Sequence, residues 1–315
     1  MSDLLTKEAI VTGEHHGQRV DVVLAQLFPD YSRSQLSHWL KRGDITVNQR
    51  QYKPKDKLVG GELINMRVVL DEINTAIQAQ DIPLQVIFED EHLLIINKPA
   101  GLVVHPGAGN SDHTLVNALL HYDQTLQHLP RAGIVHRLDK DTTGLLIIAK
   151  TLTTHTSLIR QMQAREIQRH YLTLVYGHVI SGKTIDTFYG RHPHNRLKMA
   201  VCNQGKQAIT HYSVNKQYDG FTLLDVRLMT GRTHQIRVHM AHINHPVVGD
   251  SVYLGRNRMP AGLSTELRET LLSFKRQALH AGYLSLNHPQ TQECLTFTAP
   301  LPDDFQTLLT LLDRE

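Results

Sequence analysis

Cysteine is nearly absent from this 315-residue chain: Cys202 and Cys294 are the only two, 92 positions apart. That spacing excludes a disulfide framework and a cysteine zinc finger, and it suits a reducing compartment. Long apolar runs are missing as well. The longest, Leu93–Ile96 and Leu145–Ala149, fall far short of the ~18 residues that cross a bilayer. The opening MSDLLTKEAI has neither the apolar stretch nor the small-residue cleavage site of a secretory signal, so a cytoplasmic protein with no membrane partner is expected. No G-x-x-x-x-G-K-[ST] loop, no G-x-G-x-x-G after a strand and no H-E-x-x-H helix occurs, which removes common signatures of nucleotide and zinc chemistry. His239, His242 and His245 recur at every third position, not at the i, i+4 step that pairs zinc ligands on a helix. No metal site is expected, and no cofactor is demanded.

What is present is enough for a core, with 41% apolar and 20% charged residues, and the length suits about two domains. The net charge of +3 is spread unevenly. Residues 1–30 carry −3, residues 31–57 carry +5, residues 71–91 hold six acids and no base, and residues 92–315 return +7. Two basic regions separated by an acidic strip suit a long polyanion held at two places; ordinary solvated surface is the plain alternative.

The first 70 residues read as a small domain of their own. Val20, Val23, Leu24 and Leu27 share one helical face, and Pro29 ends that helix. Ser32 reads as an N-cap with Gln35 at the capping-box position; Leu36, Trp39 and Leu40 form the next stripe, and Gly43 stands at a C-cap. Short strands follow at Ile45–Val47 and 63–70, and the basic residues gather on the second helix and after it. The pattern fits a compact RNA-binding module, with a helical docking domain as the alternative. Residues 71–82 read as a linker. From Pro83 the chain becomes strand-rich: strands are expected around Leu84–Phe88 and at Leu93–Ile96, Leu145–Ala149, Ile167–Val179, Ala208–Val214 and Phe221–Leu228, and helices near Thr114–His121, Thr154–Arg165 and Gln235–His245. Strands joined sometimes by turns and sometimes by helices predict an α+β fold with a mixed or antiparallel sheet.

Three segments concentrate chemistry. His136-Arg137-Leu138-Asp139-Lys140-Asp141-Thr142-Thr143-Gly144 leads directly into a core strand, a rigid mount for a reactive carboxylate. Asp139, flanked by Arg137 and Lys140, is expected to stay ionised, which suits a nucleophile or electrostatic stabiliser better than a general acid. A turn-forming aspartate is the plain reading. In TGRTHQIRVH, residues 230–239, Arg232 and Arg237 suit bidentate capture of a phosphate or carboxylate; solvated arginines at a helix N-terminus are the local alternative. Tyr171 shares a strand face with Arg169, Thr173 and Val175, where packing competes with chemistry. Asp139, Asp141 and Asp250 would also allow a Mg²⁺ nuclease, against which the neighbouring Arg137 and Lys140 argue.

HRLDKDTTG at 136–144, HYLTLVYG at 170–177 and TGRTHQIRVH at 230–239 together resemble the three motifs of the RluA-type pseudouridine synthases. IINKPAGLVVHPGAGN at 95–110, HPVVGDSVY at 245–253 and RQALHA at 276–281 stand in the same order. The first 70 residues are similar to the S4-type RNA-binding domain that many members carry. The resemblance implies a catalytic domain over 83–315, preceded by the small α/β RNA-binding domain of 1–70. It also implies isomerisation of uridine to pseudouridine in RNA without a cofactor. Asp139 matches the catalytic aspartate, Tyr171 the tyrosine against the target base, and Arg237 the basic partner of the carboxylate. Arg137 matches the residue that fills the gap left by a flipped nucleotide, and His136 and Arg232 fall within the same substrate-binding motifs. Arg33, Lys41 and Arg42 would grip flanking RNA through phosphates. The implied partner is 23S ribosomal RNA or a large-subunit precursor, with the helix 69 stem-loop as target and a monomer as the working unit. Base flipping costs less in a loop than in a helix. The alternative is a non-catalytic RNA-binding ribosome-assembly factor. Thr143 stands where many relatives have Ser, and Arg169 keeps the basic character of its position.

Overall fold

In the computed structural model, which describes residues 4–29, 31, 33–69, 77–107, 110–195, 198–255 and 259–315, the chain opens with a strand that its pattern does not advertise. Strand β1 (Leu4–Ile10) is followed by helices α1 (Val20–Leu27) and α2 (Arg33–Arg42), then by β2 (Ile45–Val47) and β3 (Leu63–Val69). The strands form an antiparallel sheet in the order β1-β3-β2. The apolar faces read from the sequence meet beneath it: Val23, Leu24, Leu36, Leu40, Ile45, Ile64 and Met66 are fully buried. Gly43, at φ +94°, closes α2, and the N–H groups of Gly43 and Asp44 both donate to the Trp39 carbonyl at 3.0 Å. Only a residue at ease in the left-handed region completes that cap. The expected N-cap Ser32 lies outside the described residues, as do residues 71–76 of the expected linker. Beyond these, the Asn117 amide donates to the Gln78 carbonyl at 2.7 Å, and the Gln80 N–H donates to the Asn117 carbonyl at 3.0 Å.

The second unit comprises β4 (Val86–Glu89), β5 (Leu93–Lys98), α3 (Leu115–Tyr122), β6 (Thr143–Ala149), α4 (Leu152–Ala164), β7 (Gln168–Tyr176), β8 (Lys183–Arg191), β9 (Met199–Cys202), β10 (Lys206–Tyr218), β11 (Phe221–Leu228), α5 (Gln235–His242), α6 (Thr265–Ser273), β12 (Leu279–Asn287), β13 (Cys294–Thr298) and α7 (Asp303–Leu312). Ten strands make one sheet in the order β4-β5-β6-β12-β7-β11-β10-β8-β9, with β13 beside β12. Every pair is antiparallel except β6–β12. The expected α+β class with a mixed sheet is therefore found.

β5 and β6 read as unbroken apolar runs because both faces of the sheet are covered. Leu94, Ile96, Leu146 and Ile148 point into one cluster, and Leu93, Ile95, Leu145 and Ile147 into another. At β12 the sheet forks. His280 and Ala281 pair with the start of β6, while residues 283–287 pair with β13. The loop before β6 emerges at this fork, beside β7 and α5.

Candidate active site

The loop carrying Asp139 is fixed from several sides. Its turn closes through the Thr142 N–H, which donates to the Asp139 carbonyl at 3.1 Å. From β5, the Lys98 Nζ donates to the carbonyls of Lys140 (2.8 Å), Pro99 (2.6 Å) and Leu102 (3.0 Å). The Gln277 amide donates to the Thr142 hydroxyl at 2.9 Å, and Thr143 Oγ1 lies 2.9 Å from His280 Nδ1. A carboxylate on such a loop has little freedom to swing, which is the preorganisation a reacting group needs.

Asp139 meets its main partner from far along the chain. Arg237, on α5, donates from Nη1 to Asp139 Oδ2 at 2.9 Å. The same guanidinium donates from Nε and Nη2 to both oxygens of Asp250, at 2.7 and 2.9 Å. Asp250 is fully buried and also accepts the N–H groups of Val252 (2.9 Å) and Tyr253 (3.1 Å). Burial alone would raise the Asp250 pKa, but Arg237 and the two N–H groups hold it below the ordinary carboxylate range. Burial alone would lower the Arg237 pKa; its bonds to Asp250 and Asp139 outweigh that and hold it above the usual value. Arg237 is thus a permanent cation aimed at Asp139. Of the two arginines in 230–239, only Arg232 is exposed, so the solvated-arginine reading fails for Arg237, whose helix is buried almost all round.

On the other side of Asp139, His234 Nε2 lies 3.8 Å from Oδ1, and its Nδ1 is 2.8 Å from the Tyr253 hydroxyl. His234 is held in the left-handed region, at φ +58°, as the N-cap of α5. Burial lowers its pKa against the pull of Asp139. Tyr171 stands on β7, almost fully buried, and burial raises its pKa. Asp139, Tyr171 and Arg237 line one niche of about 40 Å³, which joins a cleft of about 570 Å³.

The cleft also receives His136, Arg137 and Arg232. Arg137 and Arg232 are exposed at its rim. His136 is turned inward: its Nε2 accepts the Ile147 N–H at 3.1 Å, and burial, then Arg169, push its pKa down to about 3. Neutral and partly structural, it is poorly suited to phosphate capture. Arg33, Lys41 and Arg42 stand apart on α2. Arg33 donates to Asp21 at 2.8 Å, Arg42 donates to Asp44, and Lys41 is exposed. Among the described residues, no group of three His, Cys, Asp or Glu side chains is placed to hold a metal ion, and no helix is long and apolar enough to cross a membrane. His239, from the triplet at 239–245, instead lies with Nδ1 2.8 Å from the Thr210 hydroxyl.

Sequence reasoning did not single out Asp250 as a partner of Arg237, nor Lys98, His234 and Tyr253. The available signal for Asp250 is the burial of Arg237, since a buried guanidinium requires a carboxylate nearby; nothing local in the sequence announces that burial.

Residues 92–242 match the RNA pseudouridylate synthase family model, and residues 18–64 match the S4 domain. The chain is 51% identical over 317 residues to the ribosomal large subunit pseudouridine synthase D of Pseudomonas aeruginosa, covering 100% of this chain and 99% of that protein. It is 50% identical over 313 residues to the protein of the same name from Xanthomonas campestris (99% and 94%), and 48% identical over 313 residues to that of Escherichia coli K12 (99% and 96%). Among solved structures, human RNA pseudouridylate synthase domain containing 4 aligns with a TM-score of 0.57 at 26% identity, covering 73% of this chain and 93% of its own. Human RNA pseudouridylate synthase domain containing 1 aligns at 0.53 and 27%, covering 71% and 86%. With a caged aspartate in a basic cleft and near-full-length relatives at about half identity, the chain belongs to the RNA pseudouridylate synthase family.

Proposed function

We propose that this RNA pseudouridine synthase acts on 23S ribosomal RNA of the large subunit, in the helix 69 stem-loop, as a cytoplasmic monomer whose product supports subunit assembly. The observation that carries the reading is the Asp139–Arg237–Asp250 arrangement at the floor of a cleft rimmed by arginines. The names of the bacterial relatives support the choice of RNA.

The chemistry follows from the groups present. Detaching uracil from ribose develops oxocarbenium character at C1′, which the carboxylate of Asp139 stabilises or traps. Arg237 pairs with that carboxylate and orients it; Tyr171 lies against the flipped base; Arg137 fills the space the base vacates. The base then rejoins through C5, and the proton lost from C5 is balanced by the one gained at N1. Nothing is oxidised or hydrolysed, so no cofactor enters the balance. The 1–70 unit grips flanking RNA, with residues 71–82 joining it to the catalytic domain of 83–315.

The test is carbodiimide mapping of pseudouridine on unmodified 23S transcript and on pre-formed large subunits, with wild-type protein or Asp139→Asn. New signals in helix 69 that vanish with the Asn variant are expected. Retained RNA binding with no signal on either substrate would favour the non-catalytic assembly factor instead.

A further inference from the structure

One side chain in the cleft has no assigned work. Arg169, on β7, is only 8% exposed and lines the cleft with Asp139 and Tyr171. Its Nε is buried without a hydrogen-bond partner, and among the described residues no carboxylate pairs with its guanidinium. An isolated buried cation is costly unless something completes its environment. The chain makes room for this one: a Cβ at Gly231 would sit 3.0 Å from Arg169 Nη1. Its charge is felt by His136 and Tyr171, both held neutral by burial. A ligand oxygen would give that Nε the partner the protein does not supply.

Burial sorts the ligand groups. Arg131, Arg137 and Arg232 are exposed at the rim, open to a phosphate backbone. Arg169 lies at the floor, on the same strand face as Tyr171 and about 7 Å along it. A group that reaches the floor is one inserted out of the strand, the flipped base. We propose that the Arg169 guanidinium receives a carbonyl oxygen of the target uracil and stabilises the negative charge that the base acquires as it departs. The inference rests on the pseudouridine reading above.

The balance is simple. The N1–C1′ bond breaks heterolytically and its electron pair stays with uracil, delocalised over N1 and the carbonyl oxygens. C1′ is compensated through Asp139. The C5–C1′ bond then forms from the uracil anion, C5 loses its proton, N1 gains one, and the charge at the carbonyl disappears. Arg169 thus binds the intermediate more tightly than either end state, which is the condition for accelerating the step.

The test compares wild type, Arg169→Lys and Arg169→Met in single turnovers at saturating enzyme, on RNA carrying uridine or 5-fluorouridine at the target. Consumption of the N-glycoside and RNA affinity are measured separately. Fluorine at C5 stabilises the departing anion without help from the protein. On uridine RNA, Arg169→Met should lose about 100-fold in rate, the scale for one oxyanion donor, with Arg169→Lys between it and wild type and RNA affinity unchanged. On 5-fluorouridine RNA the deficit should shrink about tenfold or more. A deficit equal on both RNAs would overturn the inference, because misfolding or misplacement of Tyr171 is blind to the leaving group. Weakened affinity with a normal saturated rate would also overturn it and make Arg169 a phosphate contact. If wild type consumes neither RNA, the proposed function itself fails.

Discussion

Lys98 shows how much a residue's environment decides. In the sequence it is a strand-ending lysine before Pro99; in the fold it is fully buried, and its three N–H groups meet three carbonyls, including that of Lys140 beside Asp139. Burial pushes its pKa from the ordinary 10.5 down to about 7, against the pull of Asp141 and Asp139. Between those values the unfolded chain holds a proton that the folded one has released, so stability rises with pH across the window and is lowest below about 7. The difference in unfolding free energy between wild type and Lys98→Met should therefore grow in favour of wild type from pH 7 to 9.5, by up to about 1.4 kcal/mol per pH unit. Urea denaturation at four pH values measures it. A flat difference would mean that the carbonyls hold the ammonium against burial. The family resemblance carried by dense local motifs was enough to nominate Asp139, Tyr171 and Arg237. It was not enough for Lys98, Asp250 or Arg169, whose significance comes from being enclosed. Arg232 and Arg237 make the same point inside one motif: five positions apart, one is solvated and the other is tied between two carboxylates.

At the level of elements, the parallel join of β6 to β12 sets where the Asp139 loop lies. Gly144 pairs with Ala281 at φ +114°, and a Cβ there would fall 2.3 Å from the Ala281 carbonyl oxygen and 2.6 Å from its nitrogen. Neither backbone atom can give way without parting the strands. Gly144→Ala should destabilise the fold by at least about 3 kcal/mol and abolish modification together with it. A urea midpoint close to wild type would show that the join is not the constraint. Elements with strong periods were readable from the sequence. α1, α2, β5, β6 and β11 fall where their apolar positions place them. The weakly patterned strands were not readable. β8 turns Ile185 and Tyr189 inward but exposes Phe188, β12 buries His280 and Ser285 and changes register between His280 and Tyr283, and β1 depends on pairing with β3. Their alternation is set by neighbours distant in sequence, which a local window cannot contain.

Across the whole molecule, charge has a different meaning in each unit. The fold divides the basic excess over 31–57. Arg33 and Arg42 are engaged by Asp21 and Asp44, whereas Lys41, Arg50, Lys53, Lys55 and Lys57 are exposed. An internally paired arginine must exchange one anion for another to bind RNA, so its net gain is small; an exposed lysine releases counterions with no such exchange. Salt dependence should therefore be concentrated in the lysines after β2 rather than spread along α2. In the full chain, replacing Lys53, Lys55 and Lys57 by Gln should flatten the slope of log K for RNA against log salt by up to about 2, at roughly 0.7 for each phosphate no longer neutralised. Arg33→Gln with Arg42→Gln should change it by less than about 0.7. Filter binding of the target stem-loop with its flanking strands, from about 50 to 300 mM salt, separates the two sets. Equal flattening by both would mean that RNA opens the Asp21 and Asp44 pairs. An unchanged slope in the lysine variant would remove those three lysines from the RNA grip and leave Lys41, Arg50 and the arginine rim of the catalytic cleft to carry it.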